Sequence, residues 1–336
     1  MLIRILLFSI VIIVMVIAVS ITLVTQPFVT PIPSYPPHVD PVRLERDVKH
    51  LSIDLFPRSY DHFQNLELAA QYLIDEFEAA GAAVTIQVVD VKGKKYKNII
   101  AHFGPQTGSL MVIGAHYDSY GDATTGARYP RGYELETYTP GADDNASGVA
   151  GLLELSRLLS RKPQTRSIEL IAYTLEEPPY FNTEHMGSVW HARLLAVSKR
   201  DVQLMVSLEM IGYFSDTKGS QRFPIPSMSP LYSDRGDFIG VVGKFSDFKL
   251  TRKIKALMSG ATDLKVYSIN APPLLQGIDF SDHRSYWNEN IPAFMVTDTA
   301  FYRNGNHHKA EDTYEKLDYQ RMAKVVQSIY ALTQGY

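Results

Sequence analysis

Cysteine is absent from all 336 residues. Its absence excludes disulfides, thiolate metal ligands, a cysteine nucleophile and a lipid-bearing cysteine near the N-terminus. Charge is almost absent from residues 1–42, where Arg4 and Asp40 stand alone and cancel. The net charge is −3 and no block of Lys or Arg occurs anywhere, so no nucleic-acid partner is expected. After Val42 there is no internal repeat and no second linker. What remains is an ordinary folding composition, 45% hydrophobic with 20 Tyr and 15 Phe to build a core.

The uncharged start is one long apolar run, "ILLFSIVIIVMVIAVSITLV" from Ile5 to Val24. It is long enough to cross a bilayer as a helix and longer than a usual signal h-region, although "AVS" at Ala18–Ser20 has the form of a cleavage site. The reading taken is a retained single-pass anchor at 5–24 behind a short cytoplasmic end at 1–4. Arg4 on the near side and no Lys or Arg until Arg43 on the far side orient the body outside the cytoplasm, periplasmic or extracellular. Residues 25–42, "TQPFVTPIPSYPPHVDPV", are Pro-rich and predict an extended, semi-rigid spacer that lifts the body off the membrane. One domain then occupies 43–336.

Apolar periodicity in that domain alternates between helix and strand. "NLELAAQYLIDEFEAAG" sets Leu66, Ala69, Leu73, Phe77 and Ala80 on one face and stops at Gly81. "AVTIQVVDV", "NIIAHF", "LMVIGAH", "SIELIAYTL", "VQLMVSLEM" and "FMVTD" read as strands, with helices after Ser147 and from Leu317 to Leu332. The pattern predicts an α/β fold: a three-layer α/β/α sandwich around a mixed, mostly parallel sheet, plus the N-terminal transmembrane helix.

In such sheets ligands collect beyond the carboxyl ends of the strands. His116 and Asp118 end "LMVIGAHYD"; Asp143 and Asp144 open a helix in "GADDNASG"; Glu176 and Glu177 follow "SIELIAYTL"; Glu209 ends "VQLMVSLE"; His308 lies in a loop after "FMVTD". Taken singly, each has a bland reading as helix cap, strand end or solvated pair. Together, two His and several carboxylates without Cys form a nitrogen and oxygen set suited to zinc, and two ions held close together need an anion between them. An acid opening the helix at Asp143 is suited to that bridge.

The stretches "GAHYDS", "PGADDNASGVAGLLEL", "EEPPYFNTEHMGS", "SLEMIGY", "SDHRSYWNENIPAFMVTD" and "HHKAEDTYEKLD" resemble, in this order, the M28 family of zinc-dependent exopeptidases, over roughly Arg43 to the C-terminus. The resemblance implies two Zn2+ ions. It makes His116 a ligand of one zinc, Asp118 the carboxylate that orients it, Asp143 the bridging ligand and Asp144 the support of an unusual peptide geometry beside it. It makes Glu176 the general base, Glu177 a ligand of the second zinc, Glu209 a ligand that is often Asp, and His308 the last His. Asp282 and His283 of "SDH" are implied as pocket or second-layer groups. Where some family members carry a Tyr before "SDH", this chain has Ile278.

The activity implied is hydrolysis of N-terminal residues from peptides, with a zinc-activated water as nucleophile and Glu176 taking its proton. The alternatives are a glutaminyl-cyclase-like acyltransferase, a carboxypeptidase using Arg284 or Arg235 as a clamp, and an inactive receptor-like module. Residues 119–140 and 214–238 are expected to be rim loops of the pocket. No oligomeric state follows from the sequence.

Overall fold

The computed structural model describes residues 2–121 and 138–336. The apolar start forms α1 (Leu2–Thr25), which among the described residues is the one helix long and apolar enough to cross a membrane, with mean hydropathy 3.1 and only its last residue, Thr25, buried in the protein. The body follows as α2 (Pro41–Lys49), α3 (Phe63–Ala79), β1 (Ala83–Val91), β2 (Lys94–Phe103), β3 (Leu110–His116), α4 (Gly148–Leu159), β4 (Ser167–Tyr173), α5 (Gly187–Val197), β5 (Val202–Glu209), β6 (Phe238–Gly243), α6 (Phe248–Ser259), β7 (Lys265–Asn270), α7 (His283–Asn288), β8 (Ala293–Thr297) and α8 (Tyr319–Gly335).

The eight strands form one sheet in the order β1-β2-β4-β3-β5-β8-β6-β7. Strands β4, β3, β5 and β8 are mutually parallel at its centre, β2 runs antiparallel to β4, and β6 runs antiparallel to β8. Central strands covered on both faces need apolar residues at every position, and β3 is buried at all seven. Helices α2, α3, α4, α6 and α8 pack on one face around Leu152, Leu155, Val206 and Val326, while α5 and α7 cover the other around Tyr173, Met205 and Tyr286. This is the expected mixed α/β/α sandwich.

The segment β6-α6-β7 carries no signal in the sequence reading. Strand β6, "FIGVVG", includes two glycines, whereas α6 buries Thr251, Ile254, Leu257 and Met258 on one face and leaves Lys249, Arg252 and Lys253 on the other.

The Pro-rich segment does not stand free as a spacer. Ile32 N donates to Ala256 O (2.9 Å), Ser34 N to Gly260 O (3.0 Å), Arg252 Nη2 to Phe28 O (2.8 Å) and Gln327 Nε2 to Pro37 O (3.1 Å). The contact is close: a Cβ at Gly260 would stand 1.8 Å from Ile32 O. Val39 is fully buried. An extended chain without its own hydrogen-bond partners satisfies its backbone against the body instead. The segment is a strap along α6.

Candidate metal centre

Four parallel strands point their carboxyl ends the same way, and the chemistry-bearing residues gather there. His116, 1% exposed at the end of β3, is held by Nδ1 to the carbonyl of Asp118 (3.0 Å). That leaves its Nε2 facing acceptors alone: Asp144 Oδ1 at 3.4 Å, Glu209 Oε2 at 3.5 Å and Glu176 Oε2 at 3.9 Å. Glu209 ends β5, and its Oε2 accepts from Ser281 Oγ (2.7 Å). The loop after β8 brings in His308, whose Nε2 lies 3.1 Å from Asp144 Oδ2 and 3.2 Å from Glu177 Oε2. Its ring is stacked between Tyr120 (4.4 Å) and His307 (3.8 Å). One carboxylate, Asp144, therefore has one oxygen toward the His116–Glu209 pair and the other toward the Glu177–His308 pair.

The expectation for the two-acid turn is corrected here. Asp143 does not sit between the histidines: its Oδ1 accepts from Gly212 N (3.0 Å), its Oδ2 from Asn304 Nδ2 (2.8 Å), and it shares a hydrogen bond with Asp298. Burial, with Asp143 alongside, pushes Asp298 well above the usual carboxylate range, and burial raises Asp143 as well. The two acids point to opposite sides because the turn is irregular. Gly141 is left-handed (φ 59°), Asp144 has φ −103° and ψ 85°, and the peptide after Asp144 is cis. The N–H groups of Asp143 and Asp144 both donate to Asp312 (3.1 Å each), which clamps the turn. Spacing in sequence cannot separate neighbours that a turn splays apart.

Asp118 stands beside His116, as expected, and has a second task. Its Oδ1 lies 3.6 Å from His116 Nδ1, and its two oxygens accept from Glu176 N (3.2 Å) and Glu177 N (3.0 Å). It holds the paired-glutamate loop, while its carbonyl orients His116. Asp282 is fully buried and burial raises it to about 7, opposed by His116. His283 is turned away from the cluster, with Nε2 on Ile278 O (2.8 Å) and its ring against Trp287 (4.5 Å). Burial lowers it to about 4.

Several residues of the site gave no sequence signal of their own. Arg58, completely buried, donates to the carbonyls of Tyr117 (3.0 Å), Pro140 (3.0 Å), Gly141 (2.9 Å) and Leu51, joining the end of β3 to the two-acid turn. Burial draws it down to about 10, and Asp118, Asp312 and Asp144 keep it charged. Asp312 lies four residues after His308, within "HHKAEDTYEKLD". His307 reaches Asp144 Oδ2 at 3.3 Å but has no carboxylate of the paired glutamates within the same reach.

The charges are those of a site built for cations. Burial raises Glu176 well above the usual range, reinforced by Glu209 and Glu177 and opposed by His116; burial likewise raises Glu177 to about 7. Burial disfavours the imidazolium of His308, yet Glu177 and Asp144 outweigh it and raise the group to about 10. Protons stand in for the positive charge that so many converging acceptors demand. Among the described residues, buried His116 Nε2 and Glu177 Oε1 have no hydrogen-bond partner, and two groups of convergent ligand atoms, His116–Asp144–Glu209 and Asp144–His307–His308, are close enough to hold an ion. The donor set fits a metal.

Beside the cluster opens a cavity of about 500 Å3 walled by Phe181, Phe223, Met228, Tyr232, Phe280 and Phe301. Three of these belong to the expected rim segment 214–238. The other expected rim segment, 119–140, lies largely outside the described residues, which resume at Tyr138. Ile278 lines the cavity.

The sequence profile described as "Peptidase family M28" matches residues 98–333. The chain is 50% identical over 309 residues to "Uncharacterized protein YfbL" of Escherichia coli (strain K12), covering 91% of this chain and 92% of that one. It is 27% identical over 232 residues to "Leucine aminopeptidase 1" of Blastomyces gilchristii, covering 67% of this chain and 52% of the fungal protein. A solved glutaminyl cyclase from Bacteroides thetaiotaomicron shares the fold at a TM-score of 0.65 and 18% identity, covering 90% of this chain and 99% of that one. With a profile match over most of its length and a half-identical relative, the chain belongs to peptidase family M28 and is a hydrolase.

Proposed function

We propose that this chain is a two-zinc aminopeptidase, and the observation that carries the reading is the Asp144 carboxylate set between two His–Glu pairs. His116, Glu209 and Asp144 would hold one ion; His308, Glu177 and Asp144 the other. When bound, zinc supplies Lewis-acid polarisation of the scissile carbonyl and an acidified water. The protein supplies the rest. Glu176 is buried, raised in pKa and 3.9 Å from His116 Nε2, so it is suited to take a proton from the attacking water and return it to the leaving amine. Asp118 fixes Glu176 and Glu177 by their N–H groups, so the two side chains diverge from one anchored backbone. Carboxylates at the cavity floor suit a free α-amino group, and the aromatic wall suits a large apolar first side chain.

The two arginines expected to serve as a carboxypeptidase clamp are placed elsewhere, while Arg222, whose Nη2 donates to Phe301 O (3.0 Å), lines the cavity. Arg284 is engaged by Asp279 at 2.9 Å, Arg235 bonds the carbonyl of Asp216, and neither lines the cavity. The cyclase reading keeps the shared fold but does not need two complete half-sites. We infer further that α1 is a single-pass anchor with the body outside the cytoplasm, supported by the exposed apolar helix and the lone Arg4 before it.

The test is elemental analysis alongside peptide hydrolysis. The expected result is two zinc ions per chain and cleavage of peptides with a free, apolar N-terminal residue but not of their N-acetylated forms. One tightly bound metal with full activity, or conversion of N-terminal Gln to the cyclic product without hydrolysis, would overturn the proposal.

A further inference from the structure

The junction between α1 and the body has a direction. Leu23 O accepts from Asn270 Nδ2 (3.2 Å), and Thr25 O accepts from Ser268 Oγ (3.0 Å) and from the buried Lys255 Nζ (3.2 Å). Asn270 is the last residue of β7 and Ser268 lies two residues before it, so the end of α1 runs antiparallel to β7. Followed back toward its own N-terminus, α1 leaves the body past the C-terminal end of β7. The Gln26 side chain bonds Phe248 O, which sets the β6–α6 turn beside this exit, and Ala271 N on Gly243 O (3.1 Å) keeps the ends of β6 and β7 level.

Strands β6 and β7 run together and opposite to β8. His116 and Glu209 end β3 and β5, and His308 follows β8, all at the other end of the sheet. The exit of α1 and the metal cluster are therefore separated along the strands. In the register of the strands Gly243 and Asn270 lie three residues from the level of Thr297 and Glu209, on the order of 10 Å along the sheet.

The surface around the exit suits lipid headgroups. Phe28 is 78% exposed just after α1, and Phe245 is 47% exposed in the adjoining turn. Lys244 precedes Phe245, and α6 exposes Lys249 and Arg252 within its first turns, against one acid of the turn, Asp247. Aromatic rings flanked by long cationic side chains, continuous with an apolar helix, match the boundary of an anionic bilayer.

We propose that the body stands on an anionic phospholipid bilayer by its β6–β7 end, with Phe28, Lys244, Phe245 and Lys249 at the headgroups, and that the metal cluster faces away from the membrane toward soluble peptides. This rests on the membrane-anchor reading of α1 and is independent of the chemistry at the metal centre.

The lack of cysteine makes the test direct. Single variants Ser246→Cys, in the exit turn, and Glu184→Cys, in the exposed loop after β4 at the metal end, are labelled with a fluorophore in the full chain. The chain is reconstituted into vesicles of phosphatidylglycerol and phosphatidylethanolamine carrying a headgroup nitroxide quencher. Flotation with the vesicles, together with quenching severalfold stronger at 246 than at 184, supports the proposal. Lys244→Glu with Lys249→Glu should weaken the quenching at 246 while flotation persists. Flotation with equal quenching, with stronger quenching at 184, or with none at either position overturns the orientation. Failure to float overturns the anchor reading itself, a result that leaves peptide hydrolysis and zinc content untouched.

Discussion

Glu169 lies within β4 and Glu177 in the loop that follows it, and each carboxylate meets histidine. Around Glu169 each oxygen faces its own imidazole: Oε1 lies 3.4 Å from His102 Nδ1 and Oε2 lies 3.3 Å from His191 Nε2. The other nitrogen of His102 meets Thr85 Oγ1 (3.1 Å), the other nitrogen of His191 meets Tyr286 OH (2.5 Å), and Tyr286 meets Tyr173 OH (2.6 Å). Lone pairs diverge, each to its own donor. Around Glu177 they converge, since Asp144, Glu177 and Glu209 all turn oxygens toward His116 and His308, with Oε1 of Glu177 left over. Proximity of His to carboxylate is thus common to a finished network and to a metal centre. Convergence of several carboxylates on two neighbouring imidazoles is what separates them.

The largest test of that difference is Asp144→Ala, which should empty both ion positions and reduce hydrolysis to background, measured as zinc per chain after gel filtration and by peptide cleavage. Glu176→Gln should then keep both zinc ions and lower kcat at least ~10²-fold with little change in KM, because Gln keeps the shape and loses the basicity. Metal loss equal to that of Asp144→Ala would remove Glu176 from the proton-transfer role. Asp143→Asn comes third. It disturbs the support of the turn rather than an ion contact, so zinc affinity should fall roughly 10–100-fold and activity should return with excess zinc.

The smallest effect on chemistry belongs to the finished network. Glu169→Gln should leave zinc content and kcat unchanged and cost about 1–3 kcal/mol in urea unfolding, the usual loss when a buried charged hydrogen bond is broken. It also carries a pH signature. Burial opposes the Glu169 carboxylate, but His102 and His191 outweigh it and hold it at about 2, against an ordinary 4.5. A depressed folded pKa gives stability that is complete above about 4.5 and is lost as pH falls toward 2. The variant should show a shallower loss of stability across that window than the parent chain.

The sheet was legible where strands were simple. β1 and β3 follow the apolar runs to the residue, and β4 and β5 begin where theirs begin, because strands in the middle of the sheet or paired in a clean hairpin have little freedom in composition. β6 and β7 were not, because their glycines and isolated polar residues serve close packing against Phe294 and the seat of α1 rather than a period. At the site, the residue types and the strand ends that bear them were readable. The orientation of Asp143 against Asp144 was not, since it depends on Asp312 and Arg58, which approach from distant parts of the chain. Arg58 looks like any surface arginine in sequence, and only burial among carbonyl groups reveals its work.

The strap along α6 changes how this protein would be shed from a membrane. A sheddase needs a length of slack, extended chain to draw into its cleft, and residues 26–39 offer prolines, buried Val39 and backbone groups already bonded to Ala256 and Gly260. Limited proteolysis of the intact chain should therefore spare this stretch. A recombinant body begun at Val42 should be less stable than one begun just before Leu23, because the shorter form strands the Lys255 ammonium without its carbonyl acceptors at Thr25 and Gln26. On the proposed anchor reading of α1, the described residues leave no slack neck, and release would begin inside α1.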